Sequence, residues 1–275
     1  ANYFSKRLNI QSPKTLTLTF AKKQDLRYGE NPHQSATFYT QIQETEGTLT
    51  GAIQLHGKEL SYNNIGDTDG ALEALKEFDE PTVVAAKHAN PCGVAATLAE
   101  AFKKAYEADP VSIFGGIVAV NREVDKATAE IMSPIFLEVI VAPSFSEEAL
   151  AILTKKKNLR LLQLSNISKR DYTSPKAKTV LGGLLIQDMD QQLLDGELKY
   201  VTQRRPSEKE LEDLLFALKV VKHTKSNAIA IAKDKCTTGV GPGQVSRIWA
   251  LENAIRQGGD RIAGSVMASD AFFPF

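Results

Sequence analysis

The sequence has few cysteines, no excess charge of either sign and no long apolar run. Its 275 residues carry 33 Lys and Arg against 33 Asp and Glu, which gives a formal net charge of +0 at pH 7. A balanced charge argues against general attraction to nucleic acid or to an anionic membrane. Apolar runs such as 113–120 are far shorter than the roughly 18 residues of a membrane span. We therefore predict neither a nucleic-acid partner nor a membrane association.

The two cysteines, Cys92 and Cys236, lie far apart and form no Cys-x-x-Cys pair. Such usage is typical of free thiols in a reducing compartment. Since no signal peptide is visible, the sequence predicts a cytoplasmic protein. The chain begins at Ala1 and stops at Phe275 in an apolar aromatic segment, and from these ends we expect a piece of a longer protein.

Strand-like and helix-like segments alternate along the chain, which predicts an α/β protein with a largely parallel or mixed sheet. After a polar stretch at 165–176 the alternation restarts, and this restart predicts two α/β subdomains. The predicted strands cover 15–20, 82–87, 113–120, 139–142, 160–164, 179–186, 228–232 and 262–268. The predicted helices cover 67–78, with Asp67 as its cap, 97–108, 126–131, 146–157, 207–221 and 244–256.

The most informative pair of residues is Lys87 and His88, at the end of a strand with no other ionisable residue. Ligands of α/β sheets bind at the carboxyl ends of strands. A histidine exchanges a proton near neutral pH, and a lysine can hold an anionic oxygen or donate a proton if desolvated. A surface lysine beside a hydrogen-bonded loop histidine would give the same pattern, so the residues alone leave both interpretations open.

Two loops are weaker candidates for binding an anion. Arg27, Tyr28, Gly29 and His33 form a polar cluster in which the arginine fork suits a phosphate or carboxylate, although an ordinary loop explains it equally well. The glycine-rich segment 241–247, which ends at Arg247, precedes a predicted helix. It matches neither GxGxxG nor GxxxxGK[ST], which disfavours Rossmann and P-loop nucleotide binding.

A zinc deaminase and a serine hydrolase are both disfavoured by missing residues. His88, Pro91 and Cys92 resemble part of a zinc deaminase site, but Asn90 stands where the required glutamate would be and Ala95 where the second cysteine would be. Three zinc ligands are therefore not available, and we predict no metal at this site. The sequence contains no GxSxG segment, which argues against a serine nucleophile.

Nine short segments, taken in order over nearly the whole chain, form one recognisable set. They lie at 26–33, 60–64, 87–88, 114–116, 138–143, 155–158, 225–227, 243–247 and 269–275. Together they resemble the transformylase domain of a bifunctional purine-biosynthesis family, the 5-aminoimidazole-4-carboxamide ribonucleotide (AICAR) formyltransferase/IMP cyclohydrolases. Each segment alone is common, but the ordered series makes coincidence very improbable.

The resemblance implies a fold of two cytidine-deaminase-like α/β subdomains with a helical insertion. Residues 1–12 are then a remnant of the linker to a missing cyclohydrolase domain, and 13–168 are the first subdomain. Residues 169–275 would hold the insertion and a second subdomain that is truncated at its carboxyl end. The family also implies a homodimer in which each active site draws residues from both subunits.

The resemblance further implies formyl transfer from 10-formyltetrahydrofolate to the 5-amino group of AICAR, without a metal in the chemistry. Some family members hold a structural potassium ion near the equivalent of Asp270. An inactive fragment that binds only a nucleotide or a partner subunit is the alternative. The implied catalytic residues are Lys87, His88 and Asn227. The implied substrate-binding residues are Arg27, Tyr28, Gly29, His33, Gly115, Glu138, Arg247 and Phe272. The implied folate-binding residues are Phe114, Ile248, Pro274 and Phe275.

Overall fold

The structure is a computed structural model that describes residues 14–42, 46–96, 101–170 and 174–273. Most of its strands belong to one mixed sheet, and helices cover both faces of that sheet. The strands are β1 Phe20–Leu26, β2 Ala36–Gln41, β3 Ile53–His56, β4 Val83–Lys87, β5 Asn90–Ala95, β6 Gly116–Val120, β7 Leu137–Ala142, β8 Arg160–Gln163, β9 Lys176–Val180, β10 Gly183–Gln187, β11 Ile229–Lys233, β12 Cys236–Gly241 and β13 Val266–Ser269. The α-helices are α1 Tyr62–Leu75, α2 Ala101–Ala108, α3 Lys126–Met132, α4 Glu147–Leu153, α5 Glu208–Lys222 and α6 Arg247–Gly258.

The main sheet has nine strands in the order β13-β11-β12-β5-β4-β6-β7-β8-β3. Among the strand pairs of the described residues, only β6–β7 and β7–β8 are parallel. Strands β4 and β6 are buried almost throughout, because side chains on both faces of the sheet pack under helices. The remaining four strands form two separate antiparallel hairpins, β1–β2 and β9–β10. The prediction of an α/β fold with a mixed sheet is confirmed.

The sheet contains the same unit twice, each time as a helix, a strand, a two-residue turn, a strand and a second helix. The first unit is α1–β4–β5–α2 and the second is α5–β11–β12–α6. They meet edge to edge, where Cys236 pairs with Ala95. At equivalent places Gly93 and Gly239 let a helix approach the strand, since a Cβ at either position would lie only 2.0 or 2.2 Å from a helix carbonyl oxygen. The cytidine-deaminase-like assignment and the division at 168/169 remain predictions.

Helix starts follow local capping chemistry. Ser207 caps α5 and shares a capping box with Glu210, as the predicted helix at 207–221 requires. Helix α1 begins after Ser61, whose hydroxyl accepts the N–H of Asn64. Asp67 was predicted to be the cap of this helix. That prediction is wrong, because Asp67 lies within the helix. Each cap provides a partner for an N–H group that the helix itself leaves without one.

Several other boundaries differ from the prediction. The first strand is not at 15–20 but at Phe20–Leu26, where a partner strand is available. The segment 179–186 is a hairpin that turns at 181–182 rather than one strand. Helix α4 ends at Leu153 rather than at the predicted residue 157. The strand at 262–268 shrinks to Val266–Ser269 behind a short 3-10 helix. Strands β2, β3, β5 and β12 were not predicted.

Candidate active site

Most of the predicted site residues lie at one edge of the main sheet, which here means the side where the strands begin or end and not an outer strand. Strand β4 ends at Lys87, opposite the first residue of β5, Asn90. The antiparallel neighbour β6 begins beside this end, and its first residue, Gly116, pairs with Leu137 at the start of β7. On the other side, β11 begins at Ile229, which pairs with the last residue of β12. The register thus brings residues from six separate strands to a common edge.

Lys87 and His88 occupy the tight turn between β4 and β5. The half-buried Lys87 directs its Nζ to the carbonyl oxygen of Phe114 at 2.8 Å. His88 and Ala89 both have left-handed backbone angles, with φ of 51° and 56°. This geometry leaves His88 exposed, where it lines a cavity of about 580 Å³ between α1, α5 and β9. The histidine is thus accessible to a ligand and to solvent.

A carboxylate of helix α1 lies directly below this turn. Asp67 Oδ2 accepts the backbone N–H of His88 at 3.2 Å. Burial raises the pKa of Asp67 and the charge of Glu138 raises it further, whereas the N–H groups of His88 and Ala89 act in the opposite direction. The sequence interpretation missed this contact because an aspartate near a helix start was taken for a cap.

Asn90 connects the turn to the loop that carries Asn227. Its Nδ2 donates to the carbonyl oxygen of His88 at 2.8 Å, and its Oδ1 accepts the backbone N–H of Lys225 at 2.9 Å. Asn227 follows two residues later and begins the approach to β11. One amide side chain therefore holds the Lys87–His88 turn and the Asn227 loop next to each other. From the sequence, Asn90 was noted only because it stands where a zinc deaminase would have its glutamate.

Arg247 is the centre of a second network at this edge. Its Nη2 donates to Asn227 Oδ1 at 2.6 Å, while Nη1 donates to Ser269 Oγ at 2.9 Å and to the carboxylate of Asp270. Asn227 Nδ2 in turn donates to the carbonyl oxygen of Gln244 at 2.9 Å. The side chain of Arg247 is only 9% exposed. The network fixes which way the Asn227 amide points.

Glu138 is held by α1 and by a neighbouring arginine. Asn64 Nδ2 donates to Glu138 Oε2 at 2.6 Å, and Arg160 Nη1 lies 3.9 Å from the same oxygen. Burial lowers the pKa of Arg160, while Glu138 raises it and Arg27 lowers it, so both charges are close to this guanidinium. Arg27 itself lies 4.9 Å from the ring centre of Tyr28. The charges of the predicted residues Arg27 and Glu138 thus both act on Arg160, and the structure adds Arg160 and Asn64 to this part of the candidate site.

The predicted folate-binding residues are less closely connected to the Lys87–His88 turn than the residues described above. Phe114 is 61% exposed and its ring lies 5.1 Å from that of Phe136, above a turn in which Gly115 has φ of 73°. Ile248 and Phe272 are also exposed. Among the hydrogen bonds and ion pairs of the described residues, none joins His33, Ile248 or Phe272 to the Lys87–His88 turn. Pro274 and Phe275 lie outside the described residues.

Neither a metal cluster nor a membrane span is found in the described parts of the chain. Over these ranges, no three His, Cys, Asp or Glu side chains group as a metal site would require. No helix among the same residues is both long and apolar enough to cross a bilayer.

Burial opposes ionisation of Asp270, but hydrogen bonds from Ser226, the N–H of Ala228 and Arg247 outweigh it and lower its pKa.

The sheet and its polar edge define an α/β protein with a candidate ligand-binding site rich in arginine, lysine and amide groups. The AICARFT/IMPCHase bienzyme family matches residues 1–257. The chain belongs to this family, and the resemblance seen in the nine segments is confirmed.

Several curated relatives carry the name bifunctional purine biosynthesis protein PurH. The protein of Acetivibrio thermocellus is 61% identical over 270 residues, which cover 96% of this chain and 52% of that protein. The protein of Ruminiclostridium cellulolyticum is 59% identical over 273 residues, with 97% and 53% covered. The protein of Bacillus mycoides is 57% identical over 277 residues, with 100% and 54% covered. The chain thus spans about half the length of the curated relatives it matches.

Proposed function

We propose that this chain carries the formyltransferase half of a purine-biosynthesis enzyme. It transfers the formyl group of 10-formyltetrahydrofolate to the 5-amino group of AICAR and releases formyl-AICAR and tetrahydrofolate. Family membership supports this reaction. The single structural observation that carries it is the Asn90 bridge, which holds the Lys87–His88 turn against the Asn227 loop. We assign no ring closure to this chain, because the resemblance implies that the cyclohydrolase is a separate domain.

The proposed chemistry divides the proton and charge transfers between Lys87 and His88. The 5-amino nitrogen attacks the formyl carbon, and His88 accepts the proton that this nitrogen loses. Lys87 stabilises the oxyanion that forms on the formyl oxygen. It then supplies a proton to the folate nitrogen as the bond between that nitrogen and the formyl carbon breaks. A positioned base contributes a factor of about 10² to 10⁴ in rate, and orientation with charge stabilisation contributes the rest.

Substrate orientation follows from the charges around the edge. Arg27, with Tyr28, Gly29 and His33 nearby, would hold the nucleotide phosphate, since an arginine fork suits phosphate oxygens. Glu138 would accept from the carboxamide, and Asn227, fixed by Arg247, would bind the same group or orient His88. The remaining contacts that we propose for AICAR are Gly115, Arg247 and Phe272. Those that we propose for the folate are Phe114, Ile248, Pro274 and Phe275.

Two further expectations from the family are part of the proposal. Leu181, Leu185 and Val201 expose 106%, 58% and 92% of their surface in and near the β9–β10 hairpin, and such apolar exposure supports a homodimer. The second expectation is a structural potassium ion near Asp270, whose carboxylate would be one of its oxygen ligands.

The test is formyl transfer by the purified chain, measured as tetrahydrofolate formation from AICAR and 10-formyltetrahydrofolate. His88→Ala should lower kcat at least a hundredfold and leave the KM for AICAR within about threefold, because the proton moves only as the transition state forms. His56→Ala is the matched control, since His56 lies on the edge strand β3 and bonds the Lys156 carbonyl. A near-normal kcat in His88→Ala would remove this residue from the role of base. AICAR binding by the wild-type chain without turnover would instead favour the inactive nucleotide-binding fragment.

A further inference from the structure

The turn that presents His88 has an unusual backbone for its sequence. Two-residue turns with left-handed angles at both positions favour Asn-Gly, because glycine adopts such angles without a steric cost. Here the two residues are His88 and Ala89, with φ of 51° and 56°. Histidine occurs in this region more often than most residues, but alanine has no side-chain interaction that offsets the steric cost of its Cβ. Contacts from outside the turn must therefore hold it.

Those contacts come from Asp67, Gly70 and Asn90. The Asp67 carboxylate accepts the N–H of His88 and also interacts with the N–H of Ala89. Asn90 Nδ2 donates to the His88 carbonyl. One turn of helix beyond Asp67, Gly70 lets the helix approach the turn, since a Cβ there would lie 3.1 Å from the Cβ of Ala89 and 3.2 Å from its carbonyl oxygen. Helix α1 therefore packs directly beneath the exposed histidine.

The second unit of the sheet repeats this arrangement at the opposite edge. Asp234 and Lys235 form the turn between β11 and β12, with φ of 53° and 52°. Asp213 of α5 accepts both of their N–H groups, at 3.0 Å and 2.7 Å. Asp213 precedes its turn by the same number of residues as Asp67 precedes His88. A helix aspartate that accepts N–H groups of a turn with left-handed backbone angles thus occurs in both units of the sheet. In the first unit, the turn is the one that carries His88.

We infer that Asp67 is a positioning residue, whose carboxylate holds the His88–Ala89 backbone in the left-handed pair and thereby presents the imidazole to the substrate. The inference rests on the proposed function of His88. Asp67 touches neither substrate in this scheme, and it acts through the backbone of the turn. Its removal should therefore lower kcat while the KM for AICAR changes little.

The experiment compares Asp67→Ala with Asp213→Ala, which removes the equivalent carboxylate from the turn between β11 and β12. Amide hydrogen exchange of the turn residues is measured by NMR alongside formyl transfer. Asp67→Ala should speed exchange at His88 and Ala89 about tenfold or more and lower kcat by a similar factor, since a charge-assisted hydrogen bond is lost. Asp213→Ala should speed exchange at Asp234 and Lys235 and leave kcat per folded molecule within about twofold.

Rescue separates a conformational role from a simple loss of stability. Adding Ala89→Gly to Asp67→Ala places glycine where the turn favours it, and most of the lost kcat should return. Asp67→Asn keeps an acceptor oxygen and should lie within about threefold of wild type. If the alanine variant does not fold, Asp67→Ser, whose side chain is shorter and uncharged, takes its place in the comparison with the same expected losses.

Unchanged exchange at His88 in Asp67→Ala, or equal losses of kcat in the Asp67 and Asp213 variants, would overturn the inference. Absence of formyl transfer in the wild-type chain would count against the proposed function instead. The exchange rates at His88 would then still decide whether Asp67 holds the turn.

Discussion

A half-buried ion cluster at the cavity gives the sharpest prediction on stability. Glu77 Oε1 lies 2.9 Å from His223 Nε2 and 3.0 Å from Lys222 Nζ, and its side chain is only 17% exposed. Burial alone would raise the pKa of Glu77, but the hydrogen bonds from His223 and Lys222 outweigh it and lower the pKa from 4.5 to about 2. Replacing Glu77 by glutamine keeps the shape of the side chain and removes this charge.

The size and the sign of the effect follow from the lowered pKa. A fall from 4.5 to about 2 corresponds to roughly 3 kcal/mol of stabilisation, which partial screening by solvent reduces to about 1–2 kcal/mol. Because the folded-state pKa is lower than the unfolded one, this contribution is complete above pH 4.5 and is lost as the pH falls toward 2. Glu77→Gln should therefore be less stable than wild type by about 1–2 kcal/mol at pH 7.

Urea denaturation at a series of pH values measures both effects. The difference in unfolding free energy between wild type and Glu77→Gln should be constant above pH 5 and shrink steadily below pH 4.5. Glu130→Gln is the control, because Glu130 forms only an exposed pair with Lys126 at 3.8 Å, and it should change stability by less than about 0.5 kcal/mol. A Glu77→Gln difference that stays constant down to pH 3, or that is as small as the control at pH 7, would refute the reasoning.

Four further substitutions test the packing and the edge of the sheet. Arg247→Lys loses the guanidinium fork that joins Asn227 to Ser269 and Asp270 and should lower the unfolding free energy by about 2 kcal/mol in urea; a loss below about 0.5 kcal/mol would count against it. Gly93→Ala places a Cβ 2.0 Å from a carbonyl of α2 and should cost about 2 kcal/mol or more by thermal unfolding. A Cβ at Gly66 of α1 would meet open space, so Gly66→Ala should raise the unfolding free energy by up to about 1 kcal/mol. Similar losses of stability in both glycine variants would contradict the close helix packing at Gly93. Phe114→Ala should raise the folate KM about tenfold while stability changes by less than about 1 kcal/mol, and an unchanged KM would remove this ring from the folate site.

The strong local signals in the sequence were sufficient for part of the fold. The α5 prediction was confirmed because Ser207 and Glu210 form the expected capping box and an apolar face follows them. Strand β4 was visible as a short β-branched run that ends in Lys87. These elements depend mainly on residues close in the chain, which is the information that a single sequence displays directly.

The missed strands depend on contacts that a local pattern does not display. Strand β5 contains Pro91 and Gly93, and β12 contains Gly239 and Gly241, all of which suggest loops. In the fold these glycines sit in strands because the helices α2 and α6 approach within van der Waals distance of the strand backbone. The residues that make a strand improbable by propensity are the ones that allow the helix to pack on it.

The candidate site shows the same limit. The resemblance supplied Lys87, His88 and Asn227, but not the residues that hold them together. Asn90 and Asp67 bond the backbone of neighbouring elements, and the partner of Asn90 lies far away in the sequence, at Lys225. Such contacts follow from the register of β4, β5 and β11 and become visible only when the sheet is assembled.

The repeated unit also separates what the scaffold provides from what the proposed chemistry requires. Lys233 Nζ donates to the carbonyl of Ala263 at 3.0 Å, as Lys87 Nζ does to that of Phe114 at 2.8 Å. The lysine–carbonyl contact therefore belongs to both turns and is not by itself evidence of catalysis. The turns differ in the next residue, which is His88 in one and Asp234 in the other. Only the His88 turn is joined to the Asn227 loop, so the proposed activity depends on that histidine and its neighbours rather than on the fold alone.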